Sequence, residues 1–290
     1  MTCNYQEYDN YWIYNNDTMI VKCCFNNPIH YLDLGNKIVY LLFTNNKKID
    51  YYEIIDLMNY NNLINTNNSK LNQTVDYLIN NNYSKFNQTV DNLPYSLKTL
   101  TFGSEFNQTV NNLPQSLLNL SFGFKFNQLV DKLPINLINL TFGNNFNQSV
   151  DNLPINLINL IFSYSFDQPV DNLPINLINL TFDNNFNQSV DILPPTLQNL
   201  TFGCCFNQSL DNLPNSIILL NFTMYYFNYE FNFDKELNCL PNSICQIKLP
   251  RNYQHEIKKI PSNLNKITCS TLYCYIDKLK SKGIIVEYLF

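Results

Sequence analysis

The chain has 290 residues, a net charge of −5 and only 18 basic residues. An acidic chain with so few cations gives no reason to expect a nucleic-acid partner. Its first residues lack a basic segment followed by an apolar one, and no stretch reaches the ~18 consecutive apolar residues of a membrane helix. We therefore expect neither a signal peptide nor a membrane partner.

The nine cysteines are an odd number without the spacing of a disulfide framework. Cys23–Cys24 and Cys204–Cys205 are adjacent pairs, which is a poor geometry for bridges. Asn-x-Ser/Thr sequences such as 107–109 occur in many copies, and glycans on all of them would crowd the chain. A reducing, cytoplasmic compartment, in the protein's own or a host cytosol, is therefore expected.

Residues 1–70 do not repeat cleanly and are predicted to form a mixed N-terminal cap. MIVKCCF, residues 19–25, is typical of a strand. LGNKIVYLLF, residues 34–43, aligns with LPNSIILLNF, residues 213–222, and is interpreted as a degenerate repeat. The spacing of apolar residues from Tyr51 predicts a short helix. Such a cap would shield the apolar end of a repeat array from water.

Residues 71–222 consist of tandem copies of one sequence repeat, beginning with a truncated copy at Leu71. A typical copy is FNQTVDNLPYSLKTLTFG, and a fixed period of this size predicts a solenoid. The seven regular copies open twenty residues apart, at Phe86, Phe106, Phe126, Phe146, Phe166, Phe186 and Phe206.

One copy predicts the shape of one coil. Its expected core residues are Phe146, Val150, Leu153, Leu157, Leu160 and Phe162. The LxxLxF part alternates as a strand does and resembles the LxxLxL core of leucine-rich repeats. Twenty residues leave little room for an outer helix, and Pro154 favours an extended segment. The predicted fold is a mainly β, leucine-rich-repeat-like, right-handed solenoid with one short parallel strand per repeat and an irregular or extended outer side.

Three polar columns follow from the period. An Asn column, with Asp167 as its exception, and a Gln column are expected to bond the backbone of adjacent coils. An Asp column, from Asp91 to Asp211, is expected to cap backbone amides at the turn before Leu-Pro.

The repeat is interrupted once and then resumes. Residues 223–232 form an insertion loop, seven residues longer than a normal turn. Residues 233–290 contain divergent repeats and a basic C-terminal cap, with nine basic residues against five acidic ones. This charge is that of a solvated end-cap or, alternatively, of a partner-docking patch.

The pattern FNQ..D.LP..L..L.FG resembles the FNIP repeat, a family regarded as a relative of leucine-rich repeats. The match is strong over residues 86–222 and weak over 233–269. This chain departs from the family name, since Pro follows Phe-x-x only at Pro169. The resemblance implies a protein-interaction module. Some members carry an N-terminal F-box, but residues 32–62 are more readily interpreted as a degenerate repeat.

No catalytic, metal-binding or cofactor-binding residue is predicted. The Asp column offers one carboxylate per coil, whereas Ca²⁺ needs about six or more oxygens. Four cysteines and one histidine that lie close together in the C-terminal sequence are candidate zinc ligands. Their spacing matches no zinc signature, and Cys269 takes an inward-pointing position in the repeat. These residues are Cys239, Cys245, His255, Cys269 and Cys274.

A protein partner of unknown identity and a monomeric chain are expected, with two candidate docking surfaces. The first is the open face, the strand residues that point away from the core: Asn119, Ser121, Asn139, Thr141, Asn159, Ile161, Asn179, Thr181, Asn199 and Thr201. The second is the insertion loop, whose aromatic residues are of the kind that anchor interfaces: Tyr225, Tyr226, Phe227 and Tyr229. That loop could instead pack on the chain itself.

Two alternative functions remain at this stage. The chain could be a substrate-recognition subunit of a ubiquitin ligase, with residues 1–70 as a divergent F-box-like, adaptor-binding region. It could also be a purely structural array.

Overall fold

The computed structural model describes residues 86–91, 93, 95–222 and 231–289, together with the backbone of four N-terminal strands. The chain divides into two compact units, residues 1–146 and 147–290. In both units, parallel strands recur about every twenty residues, which is the predicted solenoid.

The first unit begins with antiparallel strands and continues in parallel. β1 pairs with β2, and β2 with β3, in antiparallel fashion, whereas all later neighbours up to β7 are parallel. Its strands are β1 (Tyr5–Glu7), β2 (Tyr11–Tyr14), β3 (Thr18–Val21), β4 (Tyr40–Phe43), β5 (Thr99–Thr101), β6 (Asn119–Ser121) and β7 (Asn139–Thr141).

Two of the N-terminal strands lie in segments that the sequence analysis singled out. β3 lies within the predicted strand at residues 19–25 apart from its first residue. β4 pairs Leu41 with Leu100, as the alignment of residues 34–43 with a regular repeat would place them. The helix predicted from Tyr51, the truncated copy at Leu71 and the F-box-like role of residues 1–70 lie outside the described residues.

The second unit is parallel throughout its described strands. Its elements are β8 (Asn159–Ile161), β9 (Asn179–Thr181), β10 (Asn199–Phe202), β11 (Leu219–Phe222), β12 (Gln246–Lys248), β13 (Lys266–Cys269), helix α1 (Ile276–Ser281) and β14 (Ile285–Tyr288). Equivalent residues pair across each step, as in Leu180 with Leu200. Leu220 pairs with Ile247, so the register resumes after the insertion as predicted.

The core follows the predicted apolar positions. All six core residues predicted for the copy that opens at Phe146 are buried, including Leu160 at 0% exposure. Phe142 is also fully buried. The aliphatic residues of neighbouring copies show the same burial, so one set of positions builds the interior of every described coil.

Phenylalanines form a continuous aromatic stack within each unit. In the second unit, Phe182 closes one coil and Phe186 opens the next, and their ring centroids lie 3.7 Å apart with the planes 6° from parallel. Phe186 also stacks on Phe206 at 6.1 Å, one coil further on. Each ring therefore contacts its own turn and an adjacent coil, which ties neighbouring coils together.

Tyrosines continue the stack in the divergent repeats. Tyr253 lies 5.9 Å from the ring of Phe233, and Tyr273 lies 6.1 Å from Tyr253. Burial raises the pKa of both phenols. Each hydroxyl donates to a backbone carbonyl, of Lys235 and of His255, so the polar atom is satisfied where the ring is buried.

Two tight turns shape the outer side of each coil. Leu157 donates its backbone N–H to the carbonyl of Pro154 at 3.2 Å, and Phe166 donates to Ser163 at 3.3 Å. Equivalent bonds recur in the other coils. The remaining outer backbone is irregular, as predicted, and within the described ranges the single helix is α1.

Glycine is required at the turns where the coils of Gly103, Gly123 and Gly143 meet. A Cβ added to Gly123 would lie 2.1 Å from the carbonyl oxygen of Gly103, and one on Gly143 would lie 1.8 Å from that of Gly123. No side chain fits at such distances, so the backbone contact between these coils depends on the missing Cβ.

Truncating one stacked ring tests the role of the aromatic core. We expect Phe182→Ala to lower the free energy of unfolding by about 3–5 kcal/mol, because it removes a buried ring and leaves a cavity. Urea denaturation followed by circular dichroism measures this change. The control, Ile175→Ala, alters a side chain that is 54% exposed and should cost less than about 0.5 kcal/mol. Equal losses in the two variants would contradict the stack's role.

Candidate functional site

The open face is less exposed than the strand pattern suggests. In the first unit, Asn119, Ser121, Asn139 and Thr141 are half-buried. In the second unit, Ile161, Asn179, Thr181, Asn199 and Thr201 are half-buried as well. Asn159 is buried, with 4% of its surface exposed. The hydroxyl column is therefore reachable by a partner, whereas part of the Asn column is not.

The asparagines of this face bond one another along the sheet. In the first unit, the Asn119 side-chain amide donates to Thr99 Oγ1 at 3.1 Å, and Asn139 donates to Asn119. In the second unit, Asn179 donates to Asn159, and Asn199 donates to Asn179. Such an amide ladder holds adjacent strands in register, so these residues have a structural role besides any partner contact.

The aromatic residues of the insertion loop, Tyr225, Tyr226, Phe227 and Tyr229, lie outside the described residues. The residue before the loop and the last two residues of the loop are described. Phe222 and Phe231 are buried, with ring centroids 6.4 Å apart and planes 81° from parallel. Asn232 donates its N–H to the carbonyl of Cys204 at 2.8 Å. The loop therefore leaves and re-enters the fold at well-packed positions.

A second amide column lies beside the aromatic core, as predicted. Asn187 Oδ1 accepts the backbone N–H of Asn207 at 2.8 Å and the side-chain amide of Gln208 at 3.2 Å. Asp167 replaces Asn in this column and its Oδ1 accepts the same two groups from Asn187 and Gln188. The position therefore requires an acceptor oxygen, which both residue types supply.

Substitution at Asn187 distinguishes an acceptor from a space-filling role. We expect Asn187→Ala to cost about 1–3 kcal/mol of unfolding free energy, because the backbone N–H of Asn207 loses its acceptor and Gln208 loses one of its two acceptors. Asn187→Asp keeps the acceptor, as Asp167 does, and should cost clearly less. Chemical denaturation of both variants measures the difference. A loss as large for Asp as for Ala would contradict the acceptor requirement.

The Asp column makes different bonds from those predicted. Instead of capping backbone amides, Asp151 accepts the side-chain amide of Asn172, in the next coil, at 3.1 Å. It also accepts the hydroxyl of Ser149 at 2.8 Å. These bonds, led by that of Asn172, lower the pKa of Asp151. Asp191 has the same arrangement with Asn212 and Ser189, so the carboxylates link exposed side chains of neighbouring coils.

A buried polar cluster that the sequence analysis missed lies at the turn after β9. Asp183 occupies a position that is glycine in several copies, and it lies beside Asn184 and Cys204. Asn184 is 3% exposed, and its amide nitrogen and Asp183 Oδ1 are buried without a hydrogen-bond partner. Burial raises the pKa of Asp183 to about 6 and that of the Cys204 thiol to about 11. The break in the glycine column was the available sequence signal.

The buried carboxyl of Asp183 makes stability depend on pH. Its folded-state pKa lies above the unfolded value of 3.8, so folding takes up a proton and stability falls as pH rises from about 4 to above 6. The difference between a pKa of 3.8 and one of about 6 corresponds to roughly 3 kcal/mol of stability. Asp183→Asn should lack this loss in denaturation measured between pH 4 and pH 8, whereas Asp171→Asn, at an exposed carboxylate, should retain it. A wild-type profile that does not fall over this range would contradict the assignment.

Lys248 is a second residue that the sequence analysis did not single out. On β12, it lies on the open face between Asn221 of β11 and Thr268 of β13. Its side chain is half-buried, and burial lowers the pKa of its amine. Aligning the divergent repeat with the regular ones would have placed Lys248 in the same column as Thr201 and so on the open face.

The residues considered for zinc do not come together. Cys239 and Cys274 are exposed, whereas Cys269 is buried in the inward-pointing slot assigned to it. Within the described residues, no three His, Cys, Asp or Glu side chains form a group that would hold a metal ion. The six cysteines of this part of the chain are all free thiols. Nor does any helix in it combine the length and apolar character needed to cross a membrane.

Known proteins with similar sequences or structures are also built of short repeats. The FNIP Repeat family model matches residues 86–125, 126–165 and 169–205, so two of the matches span two twenty-residue coils each and the third nearly as many. No curated protein sequence matches the chain.

Solved structures that match the chain include CroV588 and YopM. CroV588, described as a novel circular LRR protein, matches with a TM-score of 0.66 and 29% identity, covering 91% of this chain; this chain spans 38% of that protein. YopM from Yersinia enterocolitica WA-314 matches at a TM-score of 0.31 and 20% identity, over 62% of this chain and 52% of YopM, which is too low to indicate a shared fold. Residues 86–125, 126–165 and 169–205 are therefore similar to FNIP repeats, and the chain has a leucine-rich-repeat-like fold.

Proposed function

We propose that the chain is a non-catalytic protein-interaction scaffold that docks a protein partner on the open face of its sheet. The observation that carries this proposal is a column of half-buried side chains on the open face, most of them hydroxyls, such as Thr181 and Thr201, with Ile161 as an exception. The parallel ladder fixes their positions, since Leu180 and Leu200 beneath them are fully buried or nearly so. A partner would meet this surface without ordering it first, which reduces the cost of binding.

The composition of the face suits a protein partner. Solenoids generally use the extended surface that their stacked repeats create. In the second unit, the face from β8 to β10 carries amides, hydroxyls and one isoleucine, Ile161, without any charge. Such a surface offers both donors and acceptors to a partner's polar groups. The similarity to a leucine-rich-repeat fold supports the same class of function.

A non-catalytic role and a reducing compartment complete the proposal. Near β9, Asp183 is half-buried and Cys204 is buried, and burial raises the pKa of both. A buried thiol of raised pKa is a poor nucleophile. Six free thiols support a reducing, cytosolic location. Nothing among the described residues favours the ubiquitin-ligase or structural-array alternatives.

A pair of arginine substitutions tests the docking face. We expect Thr181→Arg/Thr201→Arg to reduce recovery of native partners at least tenfold, because two large charged side chains would cover the hydroxyl column. Proximity labelling in the native cell identifies the partners, and pull-down with the purified variant measures their recovery.

The matched control places the same two charges one coil apart on the outer side. Ile155→Arg/Ile175→Arg alters side chains that are 52% and 54% exposed after the proline turn. It should leave recovery unchanged. Loss of partners in the control alone would show that the docking surface is the exposed isoleucine column, and the proposed face would be wrong.

A further inference from the structure

The open face of the second unit changes chemistry beyond β10. From β8 to β10 it is uncharged, whereas the following strands bring charged and apolar residues into the same two columns. These residues are Leu219, Asn221, Gln246, Lys248, Lys266, Thr268, Ile285 and Glu287. Two cations and one carboxylate give this part of the face a net positive charge in a chain whose net charge is −5.

Several lysines of the C-terminal coils form ion pairs with carboxylates of the same chain. Lys266 lies 2.8 Å from Glu287, so the one carboxylate of the face is already engaged. Lys258 pairs with Glu236 at 3.4 Å, on the outer side of the coils. Lys278 pairs with Glu256. Intramolecular pairing is therefore common among the lysines of the C-terminal coils.

Lys248 departs from this pattern. Its ammonium group has neither an ion pair nor a hydrogen bond within the described part of the chain. The residues beside it in the ladder, Asn221 and Thr268, are neutral. Because its side chain is half-buried, the amine loses part of its hydration without gaining a counter-charge. A partly desolvated, unpaired cation is stabilised by any carboxylate that reaches it.

We propose that the open face between β10 and β13 docks an acidic segment of the protein partner, with an aspartate or glutamate carboxylate bound to Lys248 Nζ. This proposal rests on the scaffold function and names the chemistry of its partner. Thr201, Asn221 and Thr268 supply hydroxyl and amide groups around the bound carboxylate. The uncharged columns of β8 to β10 continue the surface for the rest of the segment.

A protein carboxylate fits this face better than the phosphates of a nucleic acid do. Nucleic-acid binding requires a row of cations that replaces counter-ions along the backbone. Here a single unpaired lysine lies among neutral side chains, in an acidic chain. One buried charge-assisted hydrogen bond, surrounded by neutral donors and acceptors, is the pattern of a protein interface.

Selection from a random peptide library displayed on phage tests the proposal with the complete chain. The peptides retained by the wild-type chain should be richer in Asp and Glu than the starting library. Their affinity for Lys248→Met should fall about tenfold or more, because a charge-assisted hydrogen bond is lost while the aliphatic stem is retained. Lys259→Met, which removes an exposed lysine on the outer side, should bind as the wild type does.

Other results would overturn the proposal. Retained peptides without an excess of acidic residues, or an equal affinity for Lys248→Met and the wild type, would exclude Lys248 as the anchor. Tighter, Lys248-dependent binding of oligothymidylate than of the acidic peptides would assign the face to phosphate instead. Thermal unfolding by circular dichroism shows that each variant is folded before its affinity is compared.

Recovery of the native partners by the two variants shows whether the acidic anchor alone is wrong or the scaffold function is wrong as well. If Thr181→Arg/Thr201→Arg loses the partners while Lys248→Met keeps them, the scaffold function stands and the acidic anchor is wrong. If neither variant loses them, docking on the open face is wrong as well.

Discussion

The structure depends on the contact between the phenylalanine that closes one coil and the phenylalanine that opens the next. At 3.7 Å between ring centroids, Phe182 and Phe186 fill the interior of a turn too small to bury an aromatic ring alone. Rings from the flanking coils, such as Phe206 against Phe186, complete the stack. Since each coil's core is partly made by its neighbours, stability is a property of the array, as in other solenoids. Because each coil needs a neighbour of the same shape, the sequence repeats at a fixed period of twenty residues.

Stacking brings equivalent side chains together, which restricts the residues that each column tolerates. Like charges repeated about every 4.8 Å would repel, so two columns use amide side chains. The open-face asparagines, such as Asn179, donate to one neighbouring coil and accept from the other, whereas Asn187 accepts from the next coil. Asp167 is tolerated because its position needs only an acceptor. The exposed Asp column is balanced by Asn and Ser donors, as at Asp151. A charged side chain that lacks such balance, as Lys248 does, is therefore conspicuous in this fold.

The sequence predicted the elements that depend on the period alone. Strand positions, the buried residues, the bonding of the column of Asn187 to the backbone of the adjacent coil and the register beyond the insertion are as predicted, since each follows from superposing equivalent positions. Bonds between different columns were not predictable in this way. That Asp151 reaches Asn172 depends on how the turns fold. Asp183 and Lys248 were missed because they lie where the copies diverge, and a pattern search gives weight to what the copies share.

The insertion after Phe222 has a consequence beyond recognition. Leu220 and Ile247 are 27 residues apart, yet they pair as other equivalent residues do at twenty, and Phe233 stacks on Phe206 at 6.0 Å. Extra chain length is thus accommodated outside the ladder without shifting any column. A solenoid with such a site can acquire or exchange a whole surface appendage in one genetic event while its interior stays untouched. The same site is a natural place for a designer to graft a foreign epitope onto a rigid frame.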